Sequence, residues 1–354
     1  MPHFDRSAPT FSVDKQKRIA PSMVASPIDV SLFEGCADFP LGPVALTPED
    51  VERFALEFDA QPMHLDPIAA RNSPLGALSA SGWHTCAITM ELIVAALRAA
   101  GRSITVLGVE AVVWQRPARP GDRLRGSIKI DGRASCGCGE EVAKAIVQLG
   151  NQEDETIMRW RMDCVLATRE ARPLNGTLDC EMRQPRCTRI QRQSRFSGLK
   201  FFEDIEIGDE LDLGSYALTS ARCATFRRHT LVGDSSRPDE GRRDTVPLWL
   251  IPSAWMHCIV RYYDGQSASA RKEHRNFPRL GPAAGVRHLR WRREVSIGEV
   301  LSFRAWAERK LEIGGRHDWG LLVAGAEALD AAGACVATFY PQLLLERRDS
   351  SNLA

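Results

Sequence analysis

SGWHTCAITMELIVAALRAA, residues 81–100, decides how this chain is read. From Trp83 to Ala99 the run is almost wholly apolar, and Ile88, Leu92, Ala95 and Ala96 recur at helical spacing, which predicts one long helix. The chain beyond this helix is strand-like. IleThrValLeuGlyVal at 104–109, AspArgLeuArgGlySerIleLysIle at 122–130, GluValAlaLysAlaIleValGlnLeu at 141–149 and a last stretch around Met158 to Leu166 are separated by turn signals such as Pro120-Gly121-Asp122. A long helix followed by several antiparallel strands predicts an α+β unit whose sheet wraps the helix.

Ahead of this run, Thr47-Pro48-Glu49-Asp50 predicts a second, shorter helix with an N-cap threonine, a proline at the first helical position and acids in the first turn. The whole pattern then occurs a second time. Leu46-Thr47 is answered by Leu218-Thr219, and Ser81-Gly82-Trp83 by Ser253-Ala254-Trp255, both at an offset of 172. Val109 to Trp114 with Pro120-Gly121-Asp122 is answered by Val286 to Trp291 with Ile297-Gly298-Glu299, both at 177. The five extra residues fall between Tyr262 and Gly285, where a longer loop costs little. Four anchors in constant order describe a duplicated unit of about 145 residues.

The boundaries follow from composition. Residues 1–28, rich in Pro, Ser and charge, read as a disordered leader; 29–172 as the first unit; 173–197 as a linker; 198–348 as the second unit; and 349–354 as a tail. Lys+Arg and Asp+Glu nearly cancel, at 46 against 45, so there is no broad positive field to hold nucleic acid. No apolar stretch reaches the length of a membrane span or a signal-peptide core, and a cytoplasmic protein is expected. Ten cysteines are scattered without a framework. Cys136, Cys138, Cys180 and Cys187 lack the two-residue spacing of a zinc knuckle, so free thiols and no metal are expected.

The chemistry concentrates in FDAQPMHLDP, residues 58–67, where Asp59, His64 and Asp66 fall close together behind the short helix. Together with SPLGALSASGWHT at 73–85 and ArgProGlyAsp at 119–122, this stretch resembles the MaoC-like dehydratases and type 2 enoyl-CoA hydratases. The resemblance is strong over about residues 30–172 and weaker over 198–348. It implies two tandem hotdog domains forming a pseudo-dimer within one chain, and an R-specific product. The family's motif places an Asp and a His five positions apart with Asn-Pro between them. Asp59, Pro62 and His64 match, and Gln61 stands where Asn is more usual.

Reversible addition of water to a 2-enoyl thioester needs a base for water at C3, an acid for C2 and a donor for the developing enolate oxygen. His64 suits the first role and Asp59 the second, on a loop stiffened by Pro62. A backbone N–H at Gly82, at the start of the long helix, suits the third, and the resemblance implies the same role for it. Gln61, Ser81 and Trp83 are expected to contact substrate, with Ser81 alternatively a hydrogen-bonder within the loop. Asp66 is expected to cap the next turn, His84 to be a packed helix-face histidine, and Trp114 and Trp291 to be core residues at equivalent strand positions.

The second unit departs from the motif. Asp59, His64 and Gly82 fall on Leu231, Ser236 and Ala254, while His229 and Asp234 keep the spacing in reversed order. A catalytically dead half is expected, with Arg287, Arg290 and Arg292 either holding the phosphates of a coenzyme A or carrier-protein arm or forming a solvated strand face. The expected activity is hydration of trans-2-enoyl-CoA or dehydration of 3-hydroxyacyl-CoA at one site in the first unit. The expected partners are an acyl-CoA or acyl-carrier-protein thioester and, as a homodimer of pseudo-dimers, a second copy. No cofactor is required. Two rival readings are a hotdog thioesterase, for which Glu91 is the only acid in the long helix, and a non-catalytic acyl-thioester-binding subunit.

Overall fold

The computed structural model describes residues 36–135, 140–167, 198–230, 244–314 and 317–348. The leader, linker and tail lie outside these residues, as do Cys136, Cys138, Cys180, Cys187 and the stretch 231–243 that contains Leu231, Asp234 and Ser236.

The first unit runs β1 (Cys36–Ala45), α1 (Pro48–Phe58), two short helical turns α2 (Pro62–Leu65) and α3 (Pro67–Arg71), the long helix α4 (Gly82–Ala99), then β2 (Ser103–Trp114), β3 (Arg123–Ser135), β4 (Glu140–Gly150) and β5 (Thr156–Ala167). The second runs β6 (Glu210–Ala217), α5 (Ser220–Thr230), α6 (Leu250–Lys272), β7 (Leu280–Trp291), β8 (Val300–Glu312), β9 (Trp319–Leu329) and β10 (Cys335–Glu346). Local chemistry sets several of these bounds. Thr47 and Asp50 form a reciprocal capping box at the start of α1, with Pro48 just inside it. In β5 the residues Met158, Trp160, Met162 and Cys164 are buried while Arg159 and Arg161 are exposed, the period-2 pattern of a strand with one covered face.

All ten strands join one antiparallel sheet in the order β1-β3-β4-β5-β2-β7-β10-β9-β8-β6. The second half of that order is the first read backwards through equivalent strands, so the duplication meets itself at the β2–β7 pair. There Val109 pairs with Leu289 and Val112 with Val286. Since Val109 is equivalent to Val286 and Val112 to Leu289 at the 177 offset, the seam is self-complementary, as across a two-fold axis. The helices pack on one face, and a single apolar core runs through both units, from Ile93 and Leu97 of α4 to Trp255 and Ile259 of α6. The α+β plan with the sheet around a long helix is thus present twice in one continuous body.

The two long helices differ at their starts. By the 172 offset Ser81 corresponds to Ser253, but Ser81 is the N-cap of α4, whereas α6 begins three residues earlier at Leu250. Ser253 consequently sits inside a helix, its N–H and its hydroxyl both bonded to Trp249 O, at 3.2 and 2.7 Å. The five extra residues of the second unit fall mainly after the helix, where residues 273–279 replace 100–102. Among the described residues no helix is long and apolar enough to cross a membrane, and no cluster of His, Cys, Asp and Glu could hold a metal ion.

Candidate active site

Asp59 is the C-cap of α1, its N–H bonded to Ala55 O at 2.8 Å. Gln61 follows in extended backbone and Pro62 opens α2, which carries His64 in its only turn. Asp66 closes α2 and caps α3, its Oδ1 accepting from Ile68 N and Ala69 N. Two prolines and two caps therefore fix a loop that would otherwise be free to rotate.

That loop buries its acid and base, with 3% of Asp59 and 5% of His64 exposed. His64 Nε2 stands 3.5 Å from Asp59 Oδ2. The carboxylate is oriented at both oxygens: Gln61 Nε2 donates to Oδ1 at 2.8 Å, and Ser81 Oγ donates to Oδ2 at 2.6 Å. His64 Nδ1 lies 2.8 Å from the carbonyl oxygen of Ser79. A carbonyl only accepts, so Nδ1 carries a proton, and Nε2 is the ring nitrogen turned toward Asp59.

Backbone support comes from the ArgProGlyAsp motif. The Arg119 guanidinium donates to Leu75 O and Ala77 O at 2.5 Å and to Leu78 O at 3.1 Å, holding the loop that ends at Ser79. Asp122 Oδ2 accepts from Arg119 N at 2.6 Å, and Gly121 N and Leu46 N tie the turn to the start of α1. At the equivalent position the second unit has Ser296, so its turn persists without the guanidinium.

Residues expected at substrate resolve into different roles. Gln61 Nε2 is committed to Asp59, while its Oε1 is buried with no partner among the described residues. Ser81 spends its one proton on Asp59 and accepts from Trp83 N at 3.2 Å, so it orients the carboxylate and caps α4 rather than offering substrate a donor. Trp83 is packed among Trp114, Trp249 and Phe339, with ring centroids 5.7, 6.5 and 6.0 Å away, and its ring is a core element. Gly82 is the first residue of α4, and among the described residues nothing accepts a hydrogen bond from its N–H. A Cβ there would meet Trp114 Cε2 at 2.6 Å, so the glycine makes room for the indole ring.

The second unit offers no such arrangement within the described residues. Ala254 lies inside α6, where its N–H is part of the helix instead of facing out from a helix start. Arg290, one of the three arginines considered for a phosphate arm, reaches across β2 over Gly108 to Asp163 Oδ2 at 3.3 Å. Asp163 alternates with the buried Met162 and Cys164, which places this pair on the sheet face opposite the helices and the Asp59–His64 loop. Arg287, on the same strand, is exposed.

His84 is buried completely, its ring stacked on Phe54 at 4.4 Å and its Nε2 bonded to His229 O at 2.9 Å. Burial pushes its pKa down to about 4, against a smaller raising effect of the His229 carbonyl. Sequence reasoning missed the two backbone carbonyls, of Ser79 and His229, that fix the tautomers of His64 and His84. No residue type signals a carbonyl.

Residues 40–151 match the family described as MaoC like domain. No curated protein matches the chain. Among solved structures, the chain resembles a MaoC domain protein dehydratase from Chloroflexus aurantiacus, with 16% identity over 93% of this chain and 100% of that one and a TM-score of 0.64. It also resembles a protein from Mycobacterium tuberculosis described as having a double hotdog fold, with 13% identity over 89% and 98% of the chains and a TM-score of 0.59. A MaoC-like dehydratase from Rhodospirillum rubrum is 33% identical over 38% of this chain and 93% of that one, with a TM-score of 0.35. The first two likenesses establish the fold, two hotdog units in one chain.

Proposed function

Because the chain belongs to the MaoC-like dehydratase family through its first unit, we propose that it reversibly adds water across the 2,3 double bond of a trans-2-enoyl thioester, at one site formed by Asp59, His64 and Gly82. The fixed orientation of His64 supports this reading: with Nδ1 committed to Ser79 O, its Nε2 faces a buried carboxylate 3.5 Å away, which sets two proton-exchanging groups side by side.

In the hydration direction His64 Nε2 takes a proton from water as the oxygen attacks C3. The proton that His64 has taken from water crosses the 3.5 Å gap to the Asp59 carboxylate, which passes it on to C2, and the net change is addition of one water. Gln61 Oε1, an unpartnered acceptor beside the carboxylate, suits the water's second hydrogen. The Gly82 N–H, at the positive end of α4, suits the thioester oxygen as charge gathers there. The thioester itself activates C3, so the reaction as proposed draws on no further group.

A thioesterase reading would place the acid near the thioester carbonyl. Glu91 lies nine residues along α4 from Gly82, about 13 Å of helical rise away. Incubation with crotonyl-CoA separates the cases. Loss of enoyl absorbance without free thiol is the expected result. Thiol release would indicate a thioesterase, and neither signal across several chain lengths would indicate a binding subunit.

A further inference from the structure

Two histidines reach across the pseudo-two-fold axis to equivalent places. His257 of α6 donates from Nδ1 to Glu57 O at 2.7 Å. His84 of α4 donates from Nε2 to His229 O at 2.9 Å. Glu57 and His229 are equivalent at the 172 offset; Glu57 is the next-to-last residue of α1, and His229 lies in α5, whose described residues run to Thr230. Carbonyls in the last turn of a helix have no intrahelical partner. Each unit's long helix therefore supplies a side-chain donor to a backbone carbonyl of the other unit's short helix, and for Glu57 that carbonyl lies in the last turn.

The two bonds have different consequences, because only α1 runs on into Asp59. Glu57 lies two residues before that carboxylate, and no described backbone N–H reaches its carbonyl. The last turn of α1 is then held by Asp59 N to Ala55 O on one side and by His257 on the other. His257 is itself seated on Tyr216, with ring centroids 5.2 Å apart, so the donor comes from a packed position in the second unit.

We propose that His257 is a positioning residue for Asp59: the second unit, which lacks the acid/base pair, serves the site in the first by pinning the end of α1 through the Glu57 carbonyl. This rests on the reading of Asp59 as a proton-exchanging group. It gives the second unit a task that does not require it to touch substrate.

Replacing His257 tests this in a way that global stability does not mimic. His257→Phe keeps a ring of similar size without the donor, and His257→Gln keeps a donor without the ring. If phenylalanine overfills the position, His257→Leu removes the donor with less bulk. Hydrogen exchange is read at Asp59 N–H, at the end of α1, and at Val51 N–H, bonded to Thr47 O in its first turn. In His257→Phe the Asp59 amide is expected to exchange about tenfold faster with Val51 unchanged, and in His257→Gln to return to within about twofold of the native rate. On crotonyl-CoA, kcat is expected to fall about tenfold in His257→Phe with KM within about twofold, and to recover in His257→Gln. Equal acceleration at Asp59 and Val51, or no change at Asp59, overturns the positioning role. If the native chain hydrates no enoyl thioester, the functional reading fails, while the exchange rates still decide whether His257 pins Asp59.

Discussion

His64 and Asp59 face one another at 3.5 Å because each is held by a group outside the pair: Ser79 O accepts a hydrogen bond from His64 Nδ1, and Ser81 Oγ donates to Asp59 Oδ2. Residues 79 and 81 flank the N-terminus of α4, so the start of the long helix orients acid and base together. The second unit extends its helix by a turn over the same point, and this one change removes both the cap and the outward N–H.

Gly82→Ala should destabilise the protein by about 1–3 kcal/mol, since the new methyl group would lie 2.6 Å from Trp114 Cε2 in a packed core. Adding Trp114→Leu should recover most of that loss, as read by urea unfolding. If Gly82 matters only for packing, the double variant also recovers turnover. Alanine keeps the backbone N–H and its Cβ points at Trp114, so a double variant that regains stability while turnover stays low would show that the indole ring itself shapes the site.

Arg119→Met should cost about 1.5–3 kcal/mol and slow turnover at least about tenfold, because three carbonyls lose a charged donor and the loop leading to Ser79 is released. Arg119→Lys should recover little, as a single ammonium cannot span the carbonyls of Leu75, Ala77 and Leu78 as the planar fork does. Full activity in the lysine variant would show that the loop needs only the charge.

Acid should destabilise the fold through His84. Its folded-state pKa, lowered by burial from 6.5 to about 4, means that between those values the unfolded chain binds a proton which the folded chain does not. Stability from this residue is therefore complete above about pH 6.5 and is lost as pH falls toward about 4, amounting to about 3 kcal/mol. Urea unfolding at pH 7 and at pH 4.5 measures it. His84→Phe should flatten the slope while lowering stability at pH 7, since His229 O loses its donor.

The duplicated pattern made the fold legible in the sequence. Thr47, Ser81 and the alternation through β5 encode local structure directly, the anchors at 172 and 177 reveal one unit written twice, and the family resemblance implied that the two units pair. The site was less legible in its details. Asp59, His64 and Asp66 are titratable residues in one short loop and attract notice by type. Gln61 was expected at substrate and Ser81 there or bonding within the loop, and each turns a donor onto Asp59. Trp83 and Gly82 were read by their neighbourhood in sequence, whereas Trp114, more than thirty residues on, decides what both of them touch. The partners that set histidine tautomers are the carbonyls of Ser79, Glu57 and His229, which sequence cannot distinguish from any other backbone oxygen.

The central claim, that Asp59 and His64 form the acid/base pair of a hydro-lyase, is tested most directly by following enoyl absorbance and free thiol together for the native chain, Asp59→Asn and His64→Ala, with circular dichroism confirming the fold of each. The expected result is loss of absorbance without thiol in the native chain and turnover lowered by at least about 10²-fold in each variant. Near-native turnover in either folded variant, or thiol release by the native chain, would contradict it.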